Sequence, residues 1–216
     1  MDIVWLGHSC FRIRGREATV VMDPCPPTTG YPISNKPTAD IITISHNHES
    51  HAYVKAVAGK PTIIPNAGEY EIHGAFITGI PTFHDGSKGS ERGKNLAFVV
   101  EMEGIRVCHL GDIGHTPTAE QVEEMIGADI LLIPVGGGTT IDGAQAAEIV
   151  SMLDAKLVVP MHYKTDVSKD KELEAPDRFL KEMQVKASEP QAKLQINKSG
   201  IPNETQVIML DYRGKS

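Results

Sequence analysis

Four times along this sequence a short apolar strand-like run stops and a histidine or aspartate stands in the turn that follows. The runs end at Ser45-His46-Asn47-His48-Glu49-Ser50-His51, at Phe83-His84-Asp85-Gly86, at His109-Leu110-Gly111-Asp112 and at Val158-Val159-Pro160-Met161-His162. Strand ends are where the loops of layered folds converge to form pockets. A fold that uses this pattern therefore brings strands from both halves of the chain to one edge.

The intervening segments fit that picture. Phe11 to Arg14 and Ala18 to Met22 flank Gly15-Arg16 as a hairpin, and Asp23 closes the second strand. A loop rich in Pro, Thr and Gly runs from Pro24 to Pro37. Ile41 to Ile44 reads as a buried strand. The stretch from Ser50 to Ala58 is expected to be helical, stopped by Gly59 and Pro61. Strands follow at Thr62–Ile64, Ala75–Ile80, and Leu96–Met102 with Ile105–His109, the last two joined by Glu103-Gly104.

Thr118-Ala119-Glu120-Gln121 is a capping box that opens a helix to about Ile126. Asp142-Gly143-Ala144-Gln145 opens another, to about Leu153. Strands are expected at Asp129–Pro134, Leu157–Pro160 and Gln206–Leu210, and a helix near Pro176–Met183. Helices interspersed with strands in both halves suggest two sheets packed face to face with helices outside. No fixed short repeat and no long linker divides the chain, so residues 1–216 are expected to form one domain.

Bulk properties exclude some functions. A formal charge of −7, from 28 acidic and 21 basic residues, argues against nucleic acid or an anionic membrane as partner. The three cysteines, Cys10, Cys25 and Cys108, are an odd, widely spaced set and not a disulfide framework, so a reducing compartment is expected. Cys10 and Cys108 read as small buried hydrophobes, and Cys25 stands two residues after Asp23. No apolar run approaches the length of about 20 residues that spans a bilayer. The start Met1-Asp2-Ile3-Val4-Trp5 has no basic region before its strand-like pattern. A cytoplasmic location is the expectation.

A lone histidine is more often a hydrogen-bonded core or surface residue than a ligand. Three of them within His46–His51 reverse that balance. His46 and His48 stand at i and i+2, where an extended backbone can aim both side chains one way, and a turn can bring His51 round. Neutral imidazole is the commonest protein metal ligand, and zinc and similar ions favour several imidazoles with a carboxylate. The set His46, His48, His51, His84, Asp112 and His162 is therefore a candidate metal site. Of the remaining histidines, His73, His109 and His115 read as structural, and His8 in Gly7-His8-Ser9-Cys10 is the best placed for a pocket. Gly136-Gly137-Gly138-Thr139-Thr140 lacks the Lys-Ser/Thr ending of a nucleotide-binding loop and reads as a tight turn before a helix.

These residues resemble the metallo-β-lactamase superfamily, and within it the ascorbate-6-phosphate lactonase-like branch of metal-dependent hydrolases. The resemblance runs over nearly the whole chain. It is carried by Trp5-Leu6-Gly7-His8-Ser9, Met22-Asp23-Pro24, His46-Asn47-His48-Glu49-Ser50-His51, Gly111-Asp112-Ile113-Gly114, Leu132-Ile133-Pro134-Val135-Gly136-Gly137 and Pro160-Met161-His162-Tyr163. It implies a four-layer αββα sandwich, of mixed α/β (α+β) class, with the metal site at one edge of the sheets. Carried over, His46, His48 and His84 would hold one metal, His51 and His162 a second, and Asp112 would bridge them. Asp23 would orient the histidine loop.

One residue departs from the family pattern H-x-H-x-D-H: Ser50 stands where the pattern has Asp. A hydroxyl is a poor metal ligand and no base at neutral pH. One or two divalent ions are thus expected, zinc first, with manganese, iron or nickel as alternatives. The expected chemistry is attack of a metal-activated water on a small ester, lactone or phosphoester. Asp112 and Glu49 are the candidate catalytic carboxylates, Glu49 as a substitute base. His8, Tyr163 and Lys164 are candidates for contacting substrate, Tyr163 and Lys164 through an oxyanion or a phosphate. The rival readings are a nuclease of the same superfamily, a di-iron redox protein, and a non-catalytic or impaired metal-binding member. The short acidic chain opposes the first, the lack of a flavin-binding domain opposes the second, and Ser50 favours the third. The partner expected is a small molecule, and a homo-oligomer is compatible with the sequence.

Overall fold

The computed structural model describes residues 1–31, 36–186 and 188–213. In chain order its first strands are β1 (Asp2–Gly7), β2 (Cys10–Arg14), β3 (Thr19–Met22), β4 (Ile41–Thr43), β5 (Thr62–Ile64), β6 (Gly68–Ile72) and β7 (Ala75–Phe83). Then come β8 (Lys94–Met102), β9 (Ile105–His109), helix α1 (Ala119–Met125), β10 (Ile130–Pro134) and helix α2 (Gly143–Leu153). The chain ends with β11 (Leu157–Met161), helix α3 (Asp177–Glu182), β12 (Leu194–Gln195) and β13 (Gln206–Val207).

Two mixed sheets result, in the order β12-β1-β2-β3-β4-β5 and β13-β11-β10-β9-β8-β7-β6. In the first, β3, β4 and β5 run parallel and the other neighbours antiparallel. In the second, β9, β10, β11 and β13 run parallel while β6 to β9 form a meander. Alternation along each strand explains the layering, since successive side chains leave opposite faces of a sheet. Ile3, Trp5, Phe11, Ile13, Val20, Met22 and Ile41 face the second sheet and join the main core. Their neighbours Val4, Cys10, Val21 and Ile42 face outward into a smaller core with Ala52, Val54 and Val57.

The second sheet is covered by α1 and α2, with α3 packed on α2. Both expected caps form. Thr118 and Asp142 each accept from the backbone three residues on, and Gln121 and Gln145 reach back to complete capping boxes. The layer over the first sheet is thin. The helix expected over Ser50–Ala58 is only a 3₁₀ turn at Val54–Ala56. The backbone N–H of Tyr53 is taken by Pro24 O at 2.8 Å, so the helical ladder that could follow from His48 stops there. The loop expected from Pro24 to Pro37 holds a 3₁₀ turn at Pro27–Thr29, and residues 32–35 of it lie outside the described residues.

Two strands escaped the sequence reading. β6 pairs with β7 across the two-residue turn His73-Gly74, whose φ angles of 50° and 72° suit a tight hairpin. β12 is only two residues long. Because β1, β3 and β4 share a direction, as do β7, β9, β10 and β11, their C-terminal ends open on one edge of the sandwich. Among the described residues no helix is long and apolar enough to cross a membrane.

Candidate metal centre

Asp112 stands just beyond β9, and its Oδ2 is the meeting point of three imidazoles. His51 Nε2 lies 3.0 Å away, His162 Nε2 3.3 Å and His84 Nε2 3.5 Å. The three histidines come from the loops after β4, β11 and β7. His46 completes the cluster, its ring centroid 4.4 Å from that of His51 and 4.9 Å from that of His84. His48 lies at the exposed rim, 6.0 Å from His46 and nearly parallel to it. All six sequence-predicted ligand candidates therefore gather at the shared edge, although more than a hundred residues separate His46 from His162.

In His51, His46 and His84 the other ring nitrogen is anchored in a way that aims Nε2 inward. His51 donates from Nδ1 to Asp23 Oδ2 at 2.8 Å. Ser45 donates its hydroxyl to the same oxygen at 2.5 Å and its backbone N–H to Oδ1 at 2.7 Å. With that hydroxyl committed, His46 Nδ1 donates to Ser45 Oγ at 3.0 Å. His84 Nδ1 donates to Thr139 O at 3.1 Å. Such partners fix tautomer and ring orientation in metal-binding histidines.

Asp112 is held too: Ser9 donates to its Oδ1 at 3.3 Å, and its backbone N–H donates to Asn95 Oδ1 at 3.0 Å. Ser9, Ser45, Asn95 and Thr139 are functional neighbours that the sequence reading passed over. Their signal was adjacency to candidate ligands for Ser45 alone. Asn95 is brought in from β8, Ser9 from the turn between β1 and β2, and Thr139 from the loop after β10. Of the histidines read as structural, His109 is buried between Ser9 O and Gly111 N. His115 accepts from Phe83 N, and His73 sits in its hairpin turn.

The electrostatics follow from burial and proximity. Burial lowers His46 to about 4, leaving it neutral at physiological pH. Burial, with His162 and His51 nearby, takes His8 well below the usual imidazole range. Burial would lower His51 as well, but Asp112 and Asp23 outweigh it and raise this imidazole to about 10. Burial would raise Asp112, yet His162 and His51 hold it well below the ordinary carboxylate range. Asp23 is likewise held low against its burial by the bond from His51.

The fit to a metal ion rests on what these atoms lack. His51 Nε2 is fully buried beside Asp112 but is not aligned for a hydrogen bond, and it has no other partner among the described residues. Buried polar atoms are seldom left so. Two groups of three, His46-His51-Asp112 and His8-His51-His162, each offer ligand atoms within 4.8 Å of one another. Nitrogen donors around one carboxylate suit a borderline transition ion.

The backbone is bent to make this possible. His8, Asp23 and His162 adopt φ angles of 54°, 45° and 50°, a region where Asp and His are among the few tolerated residues. Strain of this kind clusters at functional sites. Gly136 lets its loop close on the site, since a Cβ there would sit 2.2 Å from His162 O. The run from Gly136 to Thr140 is the tight turn expected, closed by Thr140 N to Gly137 O at 3.1 Å.

A family model described as a beta-lactamase superfamily domain matches residues 2–162. The chain belongs to the metallo-β-lactamase superfamily. A superfamily member of known structure from Thermotoga maritima, described as a candidate Zn-dependent hydrolase, is 39% identical. It superposes with a TM-score of 0.80 over 97% of both chains. A UPF0173 metal-dependent hydrolase from Thermococcus onnurineus is 33% identical, covering 76% of this chain and 85% of its own length. A UPF0173 protein from Pyrococcus furiosus is 30% identical over 85% of this chain and 91% of its own length.

Not every candidate in this superfamily member reaches the site. A cavity of about 270 Å³ opens over His8, His48, Glu49 and Ser50, with Thr28, Thr29, Ser168, Lys169 and Asp170 opposite. Tyr163 and Lys164 line a different cavity, with Tyr212 and Arg213. Tyr163 is buried against Trp5, ring centroids 5.1 Å apart. The positive φ of His162 reverses the chain there, which turns the next side chain away from the histidines. Ser50 is close to the site but occupied, its hydroxyl 2.6 Å from His48 Nδ1.

Proposed function

We propose that this chain is a hydrolase that holds one or two divalent ions between His46, His48, His84, Asp112, His51 and His162. The convergence of three Nε2 atoms from separate loops on Asp112 Oδ2 carries this reading. The names of its relatives support it, zinc among them. When bound, such an ion supplies a Lewis acid and lowers the pKa of water from its bulk value to about 7.

The chain's own residues do the rest. Asp23 and Ser45 keep the histidine loop in place, so the site needs no reorganisation during reaction. Asp112, held ionised, balances the cationic charge. Glu49 is exposed on the cavity wall and is the one carboxylate there that stands beside His48, which makes it the candidate base. His8 lines the same wall and can contact the substrate.

The substrate class that suits the cavity is a small ester, lactone or phosphoester. Its volume of about 270 Å³ lies just below the usual range for ligand pockets, which favours a small substrate. Lys169 supplies a cation on the wall where an anionic group of such a substrate would rest. A phosphorylated sugar lactone meets both conditions.

The test is elemental analysis of the purified chain, with turnover of a panel of lactones, esters and phosphodiesters, for wild type, His48→Ala and Asp112→Ala. Metal and turnover in the wild type, with both diminished in the variants, is the expected result. Wild-type-like metal content and turnover in both variants would overturn it. Metal retained with no turnover of any substrate would instead favour a metal-binding protein without catalysis.

A further inference from the structure

The pattern this chain departs from places an aspartate at position 50, and Ser50 is tied to His48 at 2.6 Å. A second ion held as the resemblance implies would be short of one donor on that side. Another side chain stands across from it. His8, just beyond β1, is buried with its ring centroid 4.3 Å from that of His162 and 4.8 Å from that of His51. A nitrogen of each of these three lies within 4.8 Å of the others.

Among the described residues nothing satisfies His8 Nδ1. That nitrogen is fully buried without a hydrogen-bond partner, and so is His162 Nδ1. A buried imidazole nitrogen left unsatisfied is costly, so the His8 ring calls for a ligand. The backbone is meanwhile clamped. His8 O accepts from Trp5 Nε1 at 2.9 Å and from His162 N at 3.2 Å. Gly7 makes the approach feasible, because a Cβ there would strike the Tyr31 ring at 2.2 Å. The fold thus fixes His8 in a left-handed conformation to present this ring to His51 and His162.

We infer that His8 is a direct ligand of the second metal ion, together with His51, His162 and Asp112, in place of the side chain at position 50. It follows that Ser50 orients His48 and does not bind metal. The inference rests on the metal centre proposed for this site.

The experiment loads the metal-free chain with Zn²⁺, measures bound zinc per chain by mass spectrometry of the desalted protein, and records the visible spectrum of the Co²⁺ form. The variants are His8→Asn, Ser50→Ala and the double variant His8→Asn, Ser50→Asp. Asparagine is chosen because it tolerates positive φ, where alanine would be strained. Thermal melting of the metal-free forms checks that each folds.

Two ions are expected in the wild type and in Ser50→Ala. His8→Asn is expected to keep one ion and to bind the second more than about 100-fold more weakly, beyond what loss of an orienting neighbour costs. Its Co²⁺ spectrum should lose the component from the second ion, and the double variant should recover it. Undiminished second-ion binding in His8→Asn, loss of the second ion in Ser50→Ala, or a single ion in both wild type and His8→Asn would each overturn the inference while leaving the metal centre intact. No bound ion in the wild type would overturn the metal centre itself.

Discussion

Asp23 and Ser45 are joined twice, the Ser45 amide donating to Oδ1 at 2.7 Å and its hydroxyl to Oδ2 at 2.5 Å. That pair ties the end of β3 to the end of β4, and His51 adds a third bond to Oδ2. Asparagine at position 23 keeps the backbone, since it also tolerates a φ of 45°. It offers one accepting oxygen in place of two, so either Ser45 or His51 loses its anchor. Asp23→Asn should weaken zinc binding by about 10–100-fold and lower the melting temperature. Titration with a chelating competitor checks the first effect, and unchanged affinity would show that Asp23 does not position the loop.

The same network fixes how the metal-free chain responds to pH. His51 is raised from 6.5 to about 10, so the stability it contributes is complete below about 6.5 and is lost as pH climbs through 10. Asp112 and Asp23 are held below 3.8, so their contribution is complete above that value and is lost as pH falls beneath it. The buried neutral His46 and His8 act in the opposite sense to His51, because in the unfolded chain both would take up a proton below about 6.5. The chelator-treated protein should therefore melt highest near pH 6.5 and lose stability on either side. Zinc must displace the proton on His51, so binding near pH 7.5 should release about one proton. Calorimetry in buffers of different ionisation enthalpy measures that number, and no release would mean that His51 is neutral before the metal arrives.

Much of this was written locally. Both capping boxes and the Glu103-Gly104 hairpin depend on neighbours in sequence, and the structure forms them where the pattern indicates. What failed depended on distant partners. β6 is a half-exposed edge strand of mixed character, and it is defined by its pairing with β7. The helix expected after Ser50 yields to a bond from Tyr53 to Pro24, which no helical periodicity can foretell. Tyr163 and Lys164 follow a ligand in sequence, yet the left-handed turn at His162 carries them to another cavity. Asn95 orients Asp112 from a neighbouring strand, and its place becomes evident once the register is known.

Gly136 is a site where the absence of a side chain serves the metal centre. Alanine there would place Cβ 2.2 Å from His162 O and 2.8 Å from Tyr163 Cα, both backbone atoms that cannot step aside. The loop or His162 must move. Gly136→Ala should cost about 1–3 kcal/mol of stability, typical of overpacking. The stabilisation gained on adding zinc should shrink as well, because His162 is displaced from Asp112. Melting curves with and without zinc separate the two effects, and a full zinc-induced shift would show that the loop, and not His162, gives way.

The two lysines near the site should behave differently. Lys164 is exposed beside Tyr212 and Arg213, whereas Lys169 lines the cavity with His8 and His48. For an anionic substrate, Lys169→Ala should raise KM about tenfold, the loss of about 1.4 kcal/mol expected when one charge-assisted contact goes. Lys164→Ala should leave KM unchanged. Tyr163→Phe should also leave turnover unchanged, while Tyr163→Ala should cost about 3–5 kcal/mol of stability because it removes a ring packed on Trp5. Steady-state kinetics on a phosphorylated and an uncharged lactone distinguishes these cases. A KM that rises for Lys164→Ala and not for Lys169→Ala would mean that substrate enters by the cavity beside Trp5 and not over His48.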